Sequence, residues 1–271
     1  MPSLSSAPAY TVPMDPRWRA ILMGQSPLAL ANRLGRRLFS LVPSGARCKF
    51  CNAPFRGRAG GFFGLVGYTP SRKNPNLCER CVERAPDGGA LVPVSVLFAD
   101  VRGYTTLAEE VSSVETTALL HRFYHTASIA LLAHDAILGQ IAGDEVMAVF
   151  VPGLAGARFP GRAVHAAEAL LRGIGYGTAA GNWLDVGVGI CTGEEYVGNV
   201  GGGGFKDFTA IGDVTNTAAR LQGSARGGEI LMCSSTYRVV AAAYPDAESR
   251  SLRLKGKRAA VEGYGVRIPA A

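Results

Sequence analysis

Short apolar runs alternate with amphipathic stretches from residue 90 to residue 268. The run at residues 94–99 (VSVLFA) is short, apolar and rich in valine, which predicts a buried strand. Further strands are predicted at residues 137–141, 146–151, 186–191, 195–200, 208–211, 230–233, 250–254 and 261–266. Helices are predicted at residues 111–132, 163–171, 214–222 and 235–242. Strands and helices mixed in this order favour an α+β fold.

Residues 1–45 follow a different pattern, in which apolar and basic residues interleave after a proline-broken opening. Leu30, Leu34 and Leu38 recur at helical spacing and predict one apolar helix face. Pro27 is expected to divide this stretch into two helices. We interpret the segment as a basic amphipathic helical region that packs on its own protein or on a sister subunit. Peripheral contact with a membrane surface is the alternative and is not favoured.

Composition excludes several classes of protein. The chain has 271 residues, 48% hydrophobic and 18% charged, so we exclude a wholly disordered chain. No apolar stretch approaches the ~18 residues of a membrane span. The opening MPSLSSAPAY lacks the basic and then apolar order of a secretory signal, so we expect a cytoplasmic protein. The net charge of +7 is compatible with an anionic partner.

Residues 46–85 contain two C-x₂-C pairs, Cys48 with Cys51 and Cys78 with Cys81. Two such pairs can present four thiolates in a tetrahedron, which suits one structural Zn²⁺ per chain. The segment has too few apolar residues for a core of its own, so we expect a small zinc-ribbon-like module that the metal stabilises. An iron–sulfur cluster is the alternative, and disulfides are disfavoured by the expected compartment. Basic residues surround the pairs, yet no helix or aromatic platform for nucleic acid is evident, so no nucleic-acid partner is expected.

Two aspartates follow apolar runs of the third segment. Asp100 ends the run at residues 94–99, and the turn and helix start after it, Gly103, Tyr104 and Thr105, offer backbone N–H groups to a phosphate. Asp144 lies in the Gly-Asp turn of a predicted hairpin. Two carboxylates on adjacent strand ends beside a phosphate site suit two Mg²⁺ ions. Taken singly, each aspartate is also typical of a turn or a helix cap.

A predicted helix at residues 214–222 adds a polar pair. Asn216 and Arg220 are four residues apart and therefore share a helix face, where they can hold a ribose oxygen and stabilise a phosphate. We interpret Asp213 as the N-cap of this helix. Lys255, in the sequence LKGK, can reach terminal phosphates, or else it is a solvated surface lysine.

Five stretches in order resemble the catalytic domain of class III nucleotidyl cyclases, the adenylate and guanylate cyclases. They span about residues 93–267 and read VSVLFADVRGYTTLAEE, GQIAGDEVMAVF, VGVGICTGEEYVGNVG, DFTAIGDVTNTAARL and LKGK. The double C-x₂-C segment upstream, with NPNLCERC leading into the domain, resembles a bacterial subgroup of this family.

The resemblance implies a ferredoxin-like βαββαβ core and a head-to-tail homodimer with composite active sites. It implies that Asp100 and Asp144 of one subunit bind two Mg²⁺ or Mn²⁺ ions per site. Asn216 and Arg220 of the other subunit would stabilise the transition state, and Lys255 would contact the triphosphate. The three parts of the chain are then the helical segment 1–45, the cysteine module 46–85 and the catalytic domain 90–268.

Gln140 and Thr209 occupy the positions that specify the base in this family, where Lys and Asp select adenine and Glu and Cys select guanine. Both side chains can donate and accept hydrogen bonds, so the pair can satisfy either base. Neither position has the Glu that would accept from guanine. ATP is therefore favoured as the nucleoside triphosphate substrate, with GTP or mixed use as the alternative.

The sequence thus predicts an adenylate cyclase. The ribose 3′-hydroxyl of ATP would attack the α-phosphate in line, assisted by two metals, to give 3′,5′-cyclic AMP and pyrophosphate. The second hypothesis is a catalytically weak, cyclase-like dimerisation or sensing module with a zinc-ribbon binding role. The presence of all four of Asp100, Asp144, Asn216 and Arg220 favours the enzyme. A diguanylate cyclase is disfavoured because the chain lacks a GGDEF-type loop.

Overall fold

The computed structural model describes residues 14–25, 47–55, 57–65, 67–85, 87–202, 205–254 and 259–268. The helix predicted around Leu30 to Leu38 lies outside these ranges, and so does Lys255. No helix within them is long and apolar enough to cross a membrane.

One sheet of eight strands organises the described part of the molecule. Its order is β2-β3-β1-β4-β6-β8-β7, and β5 pairs with β4 outside this order. The strands are β1 (Gly88–Val101), β2 (Ile137–Ala142), β3 (Glu145–Phe150), β4 (Val186–Gly202), β5 (Phe205–Ile211), β6 (Glu229–Cys233), β7 (Glu248–Leu252) and β8 (Val261–Arg267). β1 is antiparallel to β3 and β4, whereas β4 and β6 are parallel.

Helices precede β1 and also lie between several of the strands that follow it. They are α1 (Pro16–Leu22), α2 (Gly57–Leu65), α3 (Tyr104–Glu110), α4 (Ser113–Ala133), α5 (Pro152–Ala155), α6 (Phe159–Ile174), α7 (Asp213–Ser224) and α8 (Ser234–Val240). Short 3-10 turns occur at Glu79–Cys81 and Ala241–Ala243. A βαββαβ unit runs along the chain as β1, α4, β2, β3, α6 and β4. Its four strands lie in the spatial order β2-β3-β1-β4. The expected ferredoxin-like α+β core is confirmed.

Both faces of β1 are buried, which explains its nearly continuous apolar run. Leu97, Ala99 and Val101 belong to a core shared with α4 and α6. The alternate residues Val96 and Phe98 belong to a second core on the opposite face. This second core also contains residues of α1, α7 and the cysteine module; among them are Trp18, Leu22, Leu77, Ala218 and Leu221. The cysteine module and α1 therefore pack directly on the sheet.

Three elements differ from the expectations. The helix predicted at residues 111–132 is present as α4, but the separate short helix α3 precedes it, because Ser112 forms a capping box with Glu115 and starts α4 anew. The strands predicted at residues 186–191 and 195–200 are one strand, since β4 pairs with β1 without a break from Val186 to Asn199. Helix α2 was not predicted, because its sequence GRAGGFFGL is rich in glycine, a poor helix former.

Candidate active site and cysteine cluster

The four cysteines of the two C-x₂-C pairs converge. The sulfur atoms of Cys48, Cys51, Cys78 and Cys81 all lie within 4.8 Å of one another. Cys51 Sγ is 3.6 Å from Cys78 Sγ, and the backbone N–H of Cys78 donates to Cys48 Sγ over 3.3 Å. Cys48 and Cys78 are buried, and the other two are half-buried. The predicted cysteine cluster is therefore present.

The thiols of this cluster perturb one another. Hydrogen bonding with Cys51 lowers the pKa of the Cys48 thiol, and hydrogen bonding with Cys48 raises the pKa of both Cys51 and Cys81. Without a cation the four sulfurs cannot all ionise at such short separation. A soft divalent cation would neutralise four thiolates, so the donor set fits a Cys₄ zinc site.

Asp100 and Asp144 meet at one end of the sheet. Asp100 is the penultimate residue of β1 and lies opposite Glu145 at the start of β3. Asp144 precedes Glu145 in the turn after β2, and its carbonyl accepts from the N–H of Val101 over 3.3 Å. Burial, and then the adjacent Asp144 carboxyl, raise the pKa of Asp100 to about 6. The structure thus brings together the two carboxylates predicted to bind metal.

Two residues that the sequence analysis missed hold Asp100. Its Oδ2 atom accepts from Arg102 Nη2 over 2.8 Å and from Gln222 Nε2 over 2.9 Å. Arg102 also donates to the carbonyls of Gln222 and Ala225, over 3.3 and 3.4 Å. Gln222 lies on the buried face of α7, so these contacts fasten that helix to the end of β1. A polar residue on an apolar helix face is the signal that would have pointed to Gln222.

The turns beside the aspartates are also held in place. Tyr124 of α4 donates a hydrogen bond to the carbonyl of Gly143, the residue before Asp144. Gly103 adopts a left-handed conformation with φ 67° and caps α3, whose first residues are Tyr104 and Thr105. Gly103 and Thr105 are exposed, and Tyr104 is half-buried. The predicted phosphate-binding residues therefore follow directly on the strand that carries Asp100.

Helix α7 presents Asn216 and Arg220 away from its buried face. Asn216 is exposed and Arg220 half-buried. Among the residues that the structure describes, neither side chain forms a hydrogen bond or an ion pair, with Asp100 and Asp144 or with any other partner. Within one chain, therefore, no described hydrogen bond or ion pair connects Asn216 or Arg220 to the two aspartates.

The N-terminus of α7 is capped differently from the expectation. Asp213 is the first helical residue, and the capping position is Gly212, so the assignment of Asp213 as N-cap was wrong. The buried carboxylate of Glu195, on β4, instead accepts from the N–H of Thr215 over 3.0 Å and from its hydroxyl over 2.6 Å. Sequence reasoning missed Glu195 because this cap comes from a neighbouring strand.

The two residues expected to recognise the base lie on β2 and β5. Gln140 is exposed, in a bulge of β2 where the pairing with β3 shifts between Leu138 and Ile141. Thr209 is half-buried on β5, opposite Gly198 of β4. β2 and β5 are not neighbours in the hydrogen-bonded order, yet they contact each other.

The βαββαβ sheet with two aspartates at the end of β1 and in the β2–β3 turn defines a class III nucleotidyl cyclase catalytic domain. The family model of the adenylate and guanylate cyclase catalytic domain matches residues 90–267, and the chain belongs to this family. The resemblance noted from the sequence is thereby confirmed.

Two curated relatives are named adenylate cyclases. The adenylate cyclase of Anabaena cylindrica is 28% identical over 217 residues, which cover 74% of this chain and 42% of that protein. Adenylate cyclase 1 of Rhizobium meliloti (strain 1021) is 30% identical over 155 residues, which cover 54% of this chain and 23% of that protein. The chain thus spans less than half the length of these relatives.

Solved cyclase structures share the fold. The adenylyl cyclase CyaB from P. aeruginosa superposes with a TM-score of 0.57 at 29% identity, covering 65% of this chain and 94% of that one. The guanylyl cyclase Cya2 superposes with a TM-score of 0.57 at 24% identity, covering 68% and 95%. The second likeness concerns the fold alone.

Proposed function

We propose that this chain is an adenylate cyclase that converts ATP to 3′,5′-cyclic AMP and pyrophosphate at the interface of a homodimer. The observation that carries the proposal is the meeting of Asp100 and Asp144 at the end of β1 and the adjacent turn, in a domain of the cyclase family. The names of the relatives from Anabaena cylindrica and Rhizobium meliloti support the choice of adenylate.

Asp100 and Asp144 would hold two Mg²⁺ or Mn²⁺ ions. The donor set fits such ions, because the Asp144 carboxyl lies close enough to raise the pKa of Asp100 and hard cations prefer oxygen ligands. When bound, such ions lower the pKa of the ribose 3′-hydroxyl and neutralise the phosphates. Arg102 and Gln222 position the Asp100 carboxylate by binding its Oδ2 atom.

Asn216 and Arg220 would act on the substrate held by the other subunit. Asn216 would orient the ribose, and Arg220 would stabilise the charge that develops on the α-phosphate. The absence of any described intrachain partner for either side chain supports this role, because both remain available to a ligand. Gly103, Tyr104, Thr105 and Lys255 would bind the triphosphate.

Exposed apolar residues support the homodimer. Ile141 follows Gln140 on β2 and is 45% exposed, and Ile211 lies two residues beyond Thr209 and is 51% exposed. A second copy that completes the site would cover both. Gln140 and Thr209 would recognise adenine from the same region.

We assign the cysteine cluster to one structural Zn²⁺ per chain. Four sulfur atoms within 4.8 Å of one another support this assignment over a disulfide, since all four thiols face a common point. The cation would stabilise a module that shares its core with the catalytic sheet.

The deciding experiment measures cyclic nucleotide formed from ATP and from GTP in the presence of Mn²⁺. We expect cyclic AMP from ATP, and we expect Asp144→Asn to abolish it. Faster turnover of GTP would replace adenylate with guanylate or mixed specificity. No product from either nucleotide, in a dimeric protein with its metals bound, would leave the cyclase-like scaffold as the better reading.

A further inference from the structure

The loop between the two cysteine pairs lies along the open edge of β2. The N–H of Leu138 donates to the carbonyl of Lys73 over 2.9 Å, and Asn74 Nδ2 donates to the carbonyl of Ala136 over 2.6 Å. β2 is the terminal strand of the described sheet, so these bonds satisfy backbone groups that would otherwise be free. The cysteine module therefore completes the edge that carries Gln140.

The ammonium group of Lys73 joins β2 to β5. It donates to the carbonyl of Gly139, the residue before Gln140, and lies 2.9 Å from Oδ1 and 3.0 Å from Oδ2 of Asp207. Asp207 is two residues before Thr209 and therefore on the same face of β5. The side chain of Lys73 is only 18% exposed, so this bridge is partly shielded from water.

Lys73 is itself fixed by the cysteine module. The N–H of Lys73 donates to Ser71 Oγ over 3.0 Å, and Ser71 Oγ donates to Glu83 over 2.8 Å. The N–H of Lys49, inside the first cysteine pair, donates to the carbonyl of Asn76 over 2.9 Å. The loop that carries Lys73 is thus hydrogen-bonded to Lys49, within the first cysteine pair, and to Glu83, just after the second.

We propose that Lys73 is a positioning residue for base recognition, which sets the spacing of Gln140 and Thr209 and makes the cysteine module part of the nucleotide site. The bulge at Gly139 and Gln140 interrupts the pairing of β2 with β3, and the ammonium group of Lys73 donates to the carbonyl of Gly139 within it. This inference rests on the proposed function, because that function assigns Gln140 and Thr209 to the base.

The test compares Lys73→Met with Lys49→Met. Methionine keeps most of the apolar stem and removes the charge. Lys49 is a matched control, because its ammonium pairs with Asp135 at the turn before β2 and, like that of Lys73, ties the module to the catalytic domain. We expect Lys73→Met to raise the KM for ATP about tenfold and to alter the ATP to GTP preference, with a smaller change in kcat. Lys49→Met is expected to leave both parameters close to wild type.

Amide hydrogen exchange provides a readout that needs no catalysis. Lys73→Met is expected to accelerate exchange in residues 137–141 and 205–211, and Lys49→Met is not. Asp207→Asn removes the same ion pair from the exposed side, so it replaces Lys73→Met if that variant fails to fold. Where both single variants fold, the double variant should add little to Lys73→Met, because Lys73→Met already removes the ion pair that Asp207→Asn breaks.

The outcomes separate this inference from the proposed function. A wild-type protein without cyclase activity would refute the function, while the exchange data would still support or overturn the role of Lys73. Equal exchange in both lysine variants overturns the inference. So does an active wild type whose KM and base preference are unchanged in Lys73→Met.

Discussion

Gly189 of β4 lies directly beneath α7, and its lack of a side chain permits their close approach. A Cβ atom at this position would lie 2.2 Å from the backbone N of Gln222 and 2.3 Å from the backbone O of Ala218. Real Cβ atoms essentially never come closer than 3.0 Å to such neighbours. Both obstacles are backbone atoms, so no rotamer change relieves them, and Gly189→Ala must separate α7 from β4 by about 0.8 Å or more.

The displacement has two calculable consequences. Overpacking of this kind lowers the free energy of unfolding by about 1–3 kcal/mol. If α7 moves as a unit away from the sheet, the 2.9 Å contact between Gln222 Nε2 and Asp100 Oδ2 lengthens beyond hydrogen-bonding distance. Asn216 and Arg220 move with the same helix, and a misplacement near 1 Å lowers a rate by about a hundredfold.

Urea unfolding and the rate of cyclic AMP formation measure these two effects. Gly223→Ala is the matched control, since Gly223 is exposed on the same helix and its Cβ would meet nothing within 4 Å. We expect this control to keep full activity and to gain about 0.4–1 kcal/mol, because alanine restricts the unfolded chain. Gly189→Ala with wild-type stability and activity would refute the packing argument. If Gly189→Ala loses stability but keeps full activity, only the proposed effect of an α7 displacement on the active site is refuted.

Three further predictions concern the dimer, the metal and the helix cap. Asp100→Ala and Arg220→Ala should each be inactive, yet an equal mixture should recover about a quarter of wild-type activity, from one intact site in half of the dimers; a mixture without activity would contradict the shared site. Replacing Cys48 and Cys51 with Ser should release about one zinc per chain by elemental analysis and lower the Tm, whereas unchanged metal content would contradict the assignment. Glu195→Ala should lower the free energy of unfolding by about 1–3 kcal/mol in urea, because Thr215 loses a charged acceptor; an unchanged midpoint would show that the cap contributes nothing.

Much of the fold could be predicted because its signals are local. The apolar run before Asp100 and the Gly-Asp turn at Asp144 each lie within a few residues, so their positions on strand and turn followed from the sequence. The start of α4 is also encoded locally, by the capping box of Ser112 and Glu115, and it lies within two residues of the predicted start. The continuity of β4 was not local: Thr192, Gly193 and Glu194 interrupt the apolar pattern, and only pairing with β1 keeps them extended.

The supporting residues of the site could not be predicted because their partners are distant in sequence. Gln222 meets Asp100 across 122 positions, and Lys73 meets Asp207 across 134. The helix pattern can indicate that Gln222 is buried, and Lys73 has the pattern of a solvated lysine, but in neither case does the local sequence identify the partner. Family motifs identify the residues that would contact substrate. The side chains that position those residues are brought to them only by the folding of the sheet.

Helix α7 belongs to both halves of the proposed active site. Its buried face fastens Asp100 through Gln222, and its open face carries Asn216 and Arg220. The helix start is held by Glu195 from β4, and its packing distance is set by Gly189 on the same strand. In a dimer with shared sites, one helix would therefore position a carboxylate for its own subunit's metals and a guanidinium for the other subunit's substrate. A shift of α7 would then impair both sites of the dimer, which is why Gly189→Ala should cost more activity than its loss of stability explains.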